Sequence, residues 1–380
     1  MMAQDTFLSS VLETVELSVL CVLVVASSAV LLLLLGSGRK SVGLMIIGLM
    51  MCWLQAGWVV VTLLCVCYTL ITFTAEREDP KLPVNGKSVL ITGCDTGFGH
   101  SLAKFLDKAG VKVYAGVLNE SGPGAEELRR YSSSLTVLQL DVTDTKQIAE
   151  ALQLIKNQEK TGLWGLVNNA GVVGYLCEGE ILPMRMLNKI LNVNFIAGVE
   201  VTQAFLPLIR KAKGRLVNIA SVAGSVPFSG FAAYGASKAA VINYSSTLRQ
   251  ELSPWGIKVA IVQPGHFKTN VLGNEEHWNK VQEEILGNLP QEVIEAYGEE
   301  HICSLQQFSR YLSTVGSSDF SPVVKDIKHA LLSERPRDFY YPGQASWALS
   351  FIYSFCPTSL YNVFVSTLFK FPPPGSSFKK

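Results

Sequence analysis

Hydrophobic and polar positions divide the chain into three stretches of different character. Residues 17–36 carry no charge and, at about 1.5 Å per residue, are about long enough to cross a bilayer as a helix. Arg39 and Lys40 interrupt this run, and a second uncharged stretch follows over residues 42–74. That stretch exceeds one crossing of about 30 Å yet is short for two. Residues 1–75 are therefore expected to form a membrane anchor of two or three transmembrane segments. A cleaved signal peptide is not expected, because it needs a short apolar region and a small-residue cleavage site. Residues 76–86 (EREDPKLPVNG) are charged and contain proline, and read as a linker.

From Lys87 the pattern changes to short β-rich runs separated by helix-like stretches. SVLIT, VKVYAGVL, LTVLQLDV, LWGLVNNAG, GRLVNIAS and IKVAIVQPG are the strand candidates. Such alternation predicts an α/β fold, a Rossmann-like doubly wound parallel sheet with helices on both faces. Ligands of such sheets bind beyond the carboxyl ends of the strands. Residues 87–343 are assigned to this domain. Within it, residues 266–317 form a long insertion rich in helix formers and aromatics (Trp278, Tyr297, Phe308, Tyr311), read as a lid over the substrate. Residues 344–380 are a mostly apolar extension with Pro357 inside it, lying on the membrane surface or closing the substrate pocket.

Hydrophobic residues make up 48% of the chain and the net charge is +1, so no basic surface points to nucleic acid. The eight cysteines show neither metal-ligand spacing nor a small-domain disulfide pattern, so no metal is assigned.

The candidate chemistry lies in SVAGSVPFSGFAAYGASK, where Ser221 precedes Tyr234 by thirteen residues and Lys238 follows by four. Tyr and Lys at that spacing share one helix face. An unperturbed Tyr titrates near pH ~10 and is a poor base at neutral pH. A fixed ammonium beside it favours the phenolate, making Tyr234 a proton acceptor, with Ser221 holding a substrate oxygen. Thr92, Gly93, Gly97 and Gly99 form T-G-x-x-x-G-x-G between a strand and a helix. Glycines there permit a tight turn and close approach of backbone to a pyrophosphate at the helix N-terminus.

Together these motifs resemble the short-chain dehydrogenase/reductase family over roughly residues 87–343. Thr92-Gly93-x-x-x-Gly97-x-Gly99 matches its cofactor turn, Asn168-Asn169-Ala170-Gly171 its fourth-strand motif, and Asn194 in VNFIAG the helix Asn of a catalytic tetrad. Ser221, Tyr234 and Lys238 match the other three, and Pro264-Gly265 with Thr269 the segment near the nicotinamide. The resemblance implies carbonyl–alcohol interconversion with a nicotinamide cofactor. Lys238 would also bind the nicotinamide ribose, and Asn194 would hold a water in a proton relay. Thr96, Phe98, Asp141, Val142, Asn168, Ala170, Gly171 and Tyr234 would complete the cofactor site, and His266 would reach the substrate with Ser221 and Tyr234. Cys94-Asp95 stands where many relatives have small residues, and Ala220 replaces a frequent Ser.

The second strand ends in Val117-Leu118, without the acidic residue usual in NAD-selective relatives. A 2′-phosphate, however, needs Arg or Lys nearby, and Thr96, Val117, Leu118 and Asn119 supply none, so NAD is expected. Within the family the text looks closest to the membrane-anchored steroid and retinol dehydrogenases. That likeness implies oxidation of a steroid 17β-hydroxyl (estradiol to estrone, testosterone to androstenedione) at the endoplasmic reticulum membrane. Retinol or a short 3-hydroxy acid is the alternative substrate, and a homodimer is left open. A membrane-bound scaffold is disfavoured, since it has no physical need for Asn194, Ser221, Tyr234 and Lys238 together.

Overall fold

A computed structural model describes residues 80–343 and 346–368. The expected membrane anchor and the first residues of the expected linker lie outside the described residues. Seven strands form one sheet: β1 Ser88–Ile91, β2 Lys112–Val117, β3 Thr136–Gln139, β4 Gly165–Asn168, β5 Arg215–Ile219, β6 Lys258–Val262 and β7 Phe339–Tyr340. All six pairings are parallel, in the order β3-β2-β1-β4-β5-β6-β7. Every strand candidate of the sequence is found. β7 was not anticipated, because its two residues lie inside the polar text RPRDFYYPG and pair only through Ile261 and Val262.

Side chains on a strand alternate between faces, and here both faces are apolar, as a doubly covered parallel sheet requires. Val89, Ile91, Val113, Ala115, Val117, Val167 and Val217 pack on one side with α1 (Gly97–Lys108), α2 (Pro123–Tyr131) and α10 (Ser321–Leu332). Leu90, Tyr114, Leu166, Leu216 and Val259 face the other way, onto α3 (Thr145–Gln158), α5 (Ala197–Ala212) and α6 (Ala232–Leu252). β1 sits between β2 and β4, and the chain winds outward from it in both directions. This reversal opens a crevice at the carboxyl ends of β1 and β4, where such folds bind ligands.

α4 (Met184–Leu191) runs into a π-helical turn, Asn192–Ile196, and then into α5. Met184–Ala212 is the one described helix long and apolar enough to cross a membrane. Val201, Phe205 and Ile209 instead pack it against the sheet.

The insertion after β6 forms α7 (Glu275–Asn288), α8 (Gln291–Tyr297) and α9 (Glu299–Thr314). Trp278, Val281, Ile285, Ile302, Leu305 and Phe308 pack there on Tyr175, Leu176 and Ile181 of the loop after β4, with Tyr234 at the margin. The helices thus cover the site. The extension forms α11 (Ser346–Phe355) and α12 (Thr358–Leu368), with Tyr361 and Val365 packed on Val222 and Val226.

Candidate active site

β1 runs into the glycine turn, which the loop after β4 holds in place. The Thr92 hydroxyl accepts the backbone N–H groups of Asn169 and Ala170, each at 3.0 Å. The Asn169 carboxamide donates in return to the carbonyls of Thr92 and Gly93, at 2.8 and 3.0 Å. Gly93 and Gly97 take φ of +70° and +66°, a conformation that strains other residues. A Cβ at Gly99 would lie 2.4 Å from the Gly93 carbonyl oxygen. Thr269 closes over the turn, its methyl 3.6 Å from where a Gly97 Cβ would stand. The result is a side-chain-free cradle at the start of α1. No side chain caps that helix and no acid lies in its first turn, so its N-terminal amides face the crevice unopposed.

The carboxylate of Asp95, inside this turn, crosses to the end of β2. It accepts the N–H groups of Leu118 and Asn119 at 2.9 and 3.1 Å. Gln139 completes the clamp, donating to the Leu118 carbonyl and accepting from the Glu120 N–H, both at 2.8 Å. Asp141 accepts the N–H and hydroxyl of Thr143, while α3 is capped by Asp144. Val142 is buried and lines a cavity of about 20 Å³ with Thr92, Asn168, Ala170 and Asn194. Asn168 braces the sheet from behind, donating to Thr202 and to Asn218 at 2.8 Å. Phe98 packs edge-on against Phe267 and Phe320, with ring centroids 5.4 and 5.3 Å apart.

Helical spacing puts Tyr234, Ser237 and Lys238 on one face of α6. Ser221, at the end of β5, accepts the Ala223 N–H at 3.2 Å, and its hydroxyl lies near enough to the Tyr234 phenol to lower the phenol's pKa in part. The Asn194 carboxamide sits in the π turn, a local distortion frequent at functional sites. It pairs with both backbone groups of Val172, at 2.7 and 2.8 Å, and donates to Ser237 at 2.9 Å. Lys238 donates to the Ile219 carbonyl at 2.9 Å. A Cβ at Gly171 would lie 3.2 Å from the Asn194 carboxamide oxygen and 3.4 Å from the Lys238 nitrogen. One small volume therefore holds Asn194, Ser221, Tyr234 and Lys238.

Its electrostatics differ from the expectation. Burial pushes the Tyr234 phenol up to about 12, and the neighbouring Ser221 hydroxyl pulls it only partly back. Burial also pushes the Lys238 amine down to about 8. Desolvation of both groups outweighs the expected depression of the phenol by the ammonium.

Pro264 accepts the Val222 N–H at 3.1 Å, and the Gly265 N–H donates to Pro342 at 3.0 Å, fixing the end of β6 beside Ser221. His266, expected at the substrate, has its Nε2 on the Leu312 carbonyl at 3.1 Å, which ties α9 to that strand end. Burial lowers its pKa, and the carbonyl raises it in part. The lid has a second tie: the fully buried His301 of α9 meets Glu178 at 2.7 Å.

The roles of Asp95, Gln139, Ser237 and the Glu178–His301 pair were not anticipated. Ser237 was accessible to the helical-spacing argument applied to Tyr234. The others pair across 19 to 123 residues, with no local signal.

A nucleotide-type crevice with a Ser-Tyr-Lys cluster at its edge defines a dinucleotide-dependent oxidoreductase. The chain belongs to the short-chain dehydrogenase/reductase family, matching the short chain dehydrogenase family over residues 87–280. It is 46% identical over 305 residues to 17-beta-hydroxysteroid dehydrogenase type 2 of Homo sapiens, covering 80% of this chain and 78% of that protein. It is 43% identical over 291 residues to 11-beta-hydroxysteroid dehydrogenase type 2 of Homo sapiens, covering 76% and 72%. A solved short-chain dehydrogenase from Streptomyces avermitilis superposes with a TM-score of 0.58 at 25% identity, over 74% of this chain and 97% of that one. The family works with nicotinamide cofactors, and the cradle fits one: Gly93 and Gly99 leave no room for a Cβ, Gly97 takes a positive φ, and the uncapped α1 amides suit a pyrophosphate.

Proposed function

We propose that this chain oxidises the 17β-hydroxyl of a steroid such as estradiol or testosterone to the ketone, with NAD. The observation that carries the chemistry is the convergence of Asn194, Ser221, Tyr234 and Lys238 in one small volume beneath an apolar lid. The steroid reading is supported by the 46% identity to the human 17-beta enzyme.

In this reading Thr92, Gly93, Thr96, Gly97, Phe98 and Gly99 hold the pyrophosphate side. Asp141 and Val142 lie at the adenine. Asn168, Ala170, Gly171, Pro264, Gly265 and Thr269 border the nicotinamide. The bound nicotinamide supplies a hydride acceptor at its C4 carbon. Ser221 orients the substrate hydroxyl by hydrogen bonding, and Tyr234 takes its proton as the carbinol C–H leaves as hydride, so the alcohol loses two electrons and two hydrogens. Lys238 binds the nicotinamide ribose and, while protonated, stabilises the Tyr234 phenolate. Asn194 holds its helix to Val172 and Ser237 and keeps the relay from Lys238 in line.

NAD is supported by the surroundings of the β2 end, where Thr96, Leu118 and Asn119 are exposed and uncharged. A membrane site is supported by the uncharged residues 17–36 and 42–74, and the endoplasmic reticulum is the membrane proposed for it. Trp347, Phe351, Phe355, Leu360 and Val363, exposed on α11 and α12, point the same way. Alkaline carbonate extraction that releases the protein from membranes would count against this.

The 43% identity to the human 11-beta enzyme supports a second reading, an 11β-hydroxysteroid. The deciding experiment is product analysis with membranes carrying the protein, NAD, and a panel of estradiol, testosterone, an 11β-hydroxysteroid and retinol. Estradiol and testosterone are expected to be oxidised and retinol left nearly untouched. Preference for the 11β-hydroxysteroid or retinol would move the assignment accordingly.

A further inference from the structure

We propose that Asp95 is the residue that selects NAD over NADP, supplying from the glycine turn the acidic group that the end of β2 lacks. This rests on the NAD reading above and assigns its structural cause.

In this fold the adenosine ribose lies at the carboxyl end of the second strand, where an acidic side chain accepts its hydroxyls. β2 ends at Val117, and Leu118 and Asn119 offer no carboxylate. The Asp95 carboxylate occupies that place from another direction, with one oxygen on each of the Leu118 and Asn119 N–H groups. A carboxylate has about four lone-pair positions on its two oxygens. Two are taken here by amides, and two remain for the ribose 2′- and 3′-hydroxyls.

The position is set firmly. A Cβ at Gly124, the second residue of α2, would stand 2.0 Å from the Asp95 carbonyl oxygen, so helix and turn lie in backbone contact. Gln139 clamps the same strand end from its other side. A 2′-phosphate there would bring charge of about −1.5 to −2 against the carboxylate and, as the dianion, no proton to donate. The guanidinium of Arg129 reaches this loop but donates to the Glu120 carbonyl. Asp95 thus attracts a ribose hydroxyl and repels a phosphate at one point.

A purely mechanical role, holding the turn against β2, would weaken both cofactors alike. The test separates the two roles by equilibrium binding of NADH and NADPH to the full-length protein in detergent, followed by nicotinamide fluorescence without turnover. The unmodified protein is expected to bind NADH more tightly. In Asp95→Asn, which keeps the size and a hydrogen-bonding oxygen but removes the charge, the NADPH-to-NADH affinity ratio should rise by roughly 10- to 100-fold, as for one or two charge-assisted contacts. Asp95→Glu should retain a preference for NADH.

A ratio unchanged within about twofold in Asp95→Asn would overturn the assignment, even if both affinities fall. Should that variant fail to fold, the unmodified protein still decides. Raising salt should screen the repulsion and improve NADPH binding relative to NADH, and a flat ratio would overturn the assignment. Tighter binding of NADPH by the unmodified protein would remove the NAD reading itself, and the assignment with it.

Discussion

The Lys238 nitrogen stands 5.8 Å from the centre of the Tyr234 ring, while its hydrogen bond goes to the Ile219 carbonyl. The pair is thus adjacent but not directly bonded. With the phenol at about 12 and the amine at about 8, Tyr234 rests neutral at physiological pH while Lys238 is still mostly protonated. Proton removal by Tyr234 is costly, so the pH response should expose it.

For Tyr234→Phe we expect oxidation slowed by roughly 10²- to 10⁴-fold, the usual weight of a general acid or base, with NADH affinity nearly unchanged. In the unmodified enzyme, kcat/KM for oxidation should rise with pH above neutrality, because the phenol must lose its proton; that for ketone reduction should fall. Near-normal turnover in the Phe variant would refute the role given to Tyr234.

Lys238 makes a stability prediction of defined sign. Its folded pKa of about 8 lies below the reference 10.5. Below pH ~8 both states hold the proton, and the folded state carries the whole cost of burying it, about 3 kcal/mol. Between about pH 8 and 10.5 the unfolded chain binds more protons, so stability rises with pH. Lys238→Met removes this slope while leaving the Ile219 carbonyl unpaired, at a cost of about 1–3 kcal/mol. Melting curves from pH 7 to 10 should therefore show the unmodified protein gaining on the variant, and parallel curves would contradict the assignment.

Asn169→Ala should loosen the glycine turn by stripping the Thr92 and Gly93 carbonyls of their donor. Loss of about 2 kcal/mol in stability and at least about tenfold in cofactor affinity is expected. Gly99→Ala should be worse for binding, since its Cβ meets the Gly93 carbonyl and the Asn169 nitrogen. Titration with NADH checks both, and unchanged affinity in the pair would show that the turn does not hold the cofactor.

Glu178→Ala leaves the buried His301 Nε2 without its partner and should loosen the lid. We expect KM for a lipophilic substrate to rise about 3- to 10-fold with kcat changed less, because the chemistry is held by α6 rather than the lid. A loss confined to kcat would place the pair nearer the reaction than the structure does.

Much of this was legible in the chain itself. Alternation of β-rich and helical text fixes which segments are strands, because the two periods cannot share one sequence. The spacings of Tyr234 to Lys238, and of Gly93, Gly97 and Gly99, span no more than two helical turns, so local rules reach them, while Ser221, thirteen residues before Tyr234, is placed by the family resemblance. The seventh strand escaped because two residues carry no periodicity.

Tertiary structure alone decided the rest. Asp95 meets Leu118 across 23 residues, Asn169 meets Thr92 across 77, and His301 meets Glu178 across 123. The order of the strands brings the first two pairs together, and the packing of the lid on the loop after β4 brings the third. The titration of Tyr234 and Lys238 was decided there too. The sequence shows that an amine lies four residues from a phenol, which suggests mutual support. Whether that attraction or the loss of water prevails depends on how much protein covers them, and the lid and Ser221 lie far along the chain from α6 or on another element.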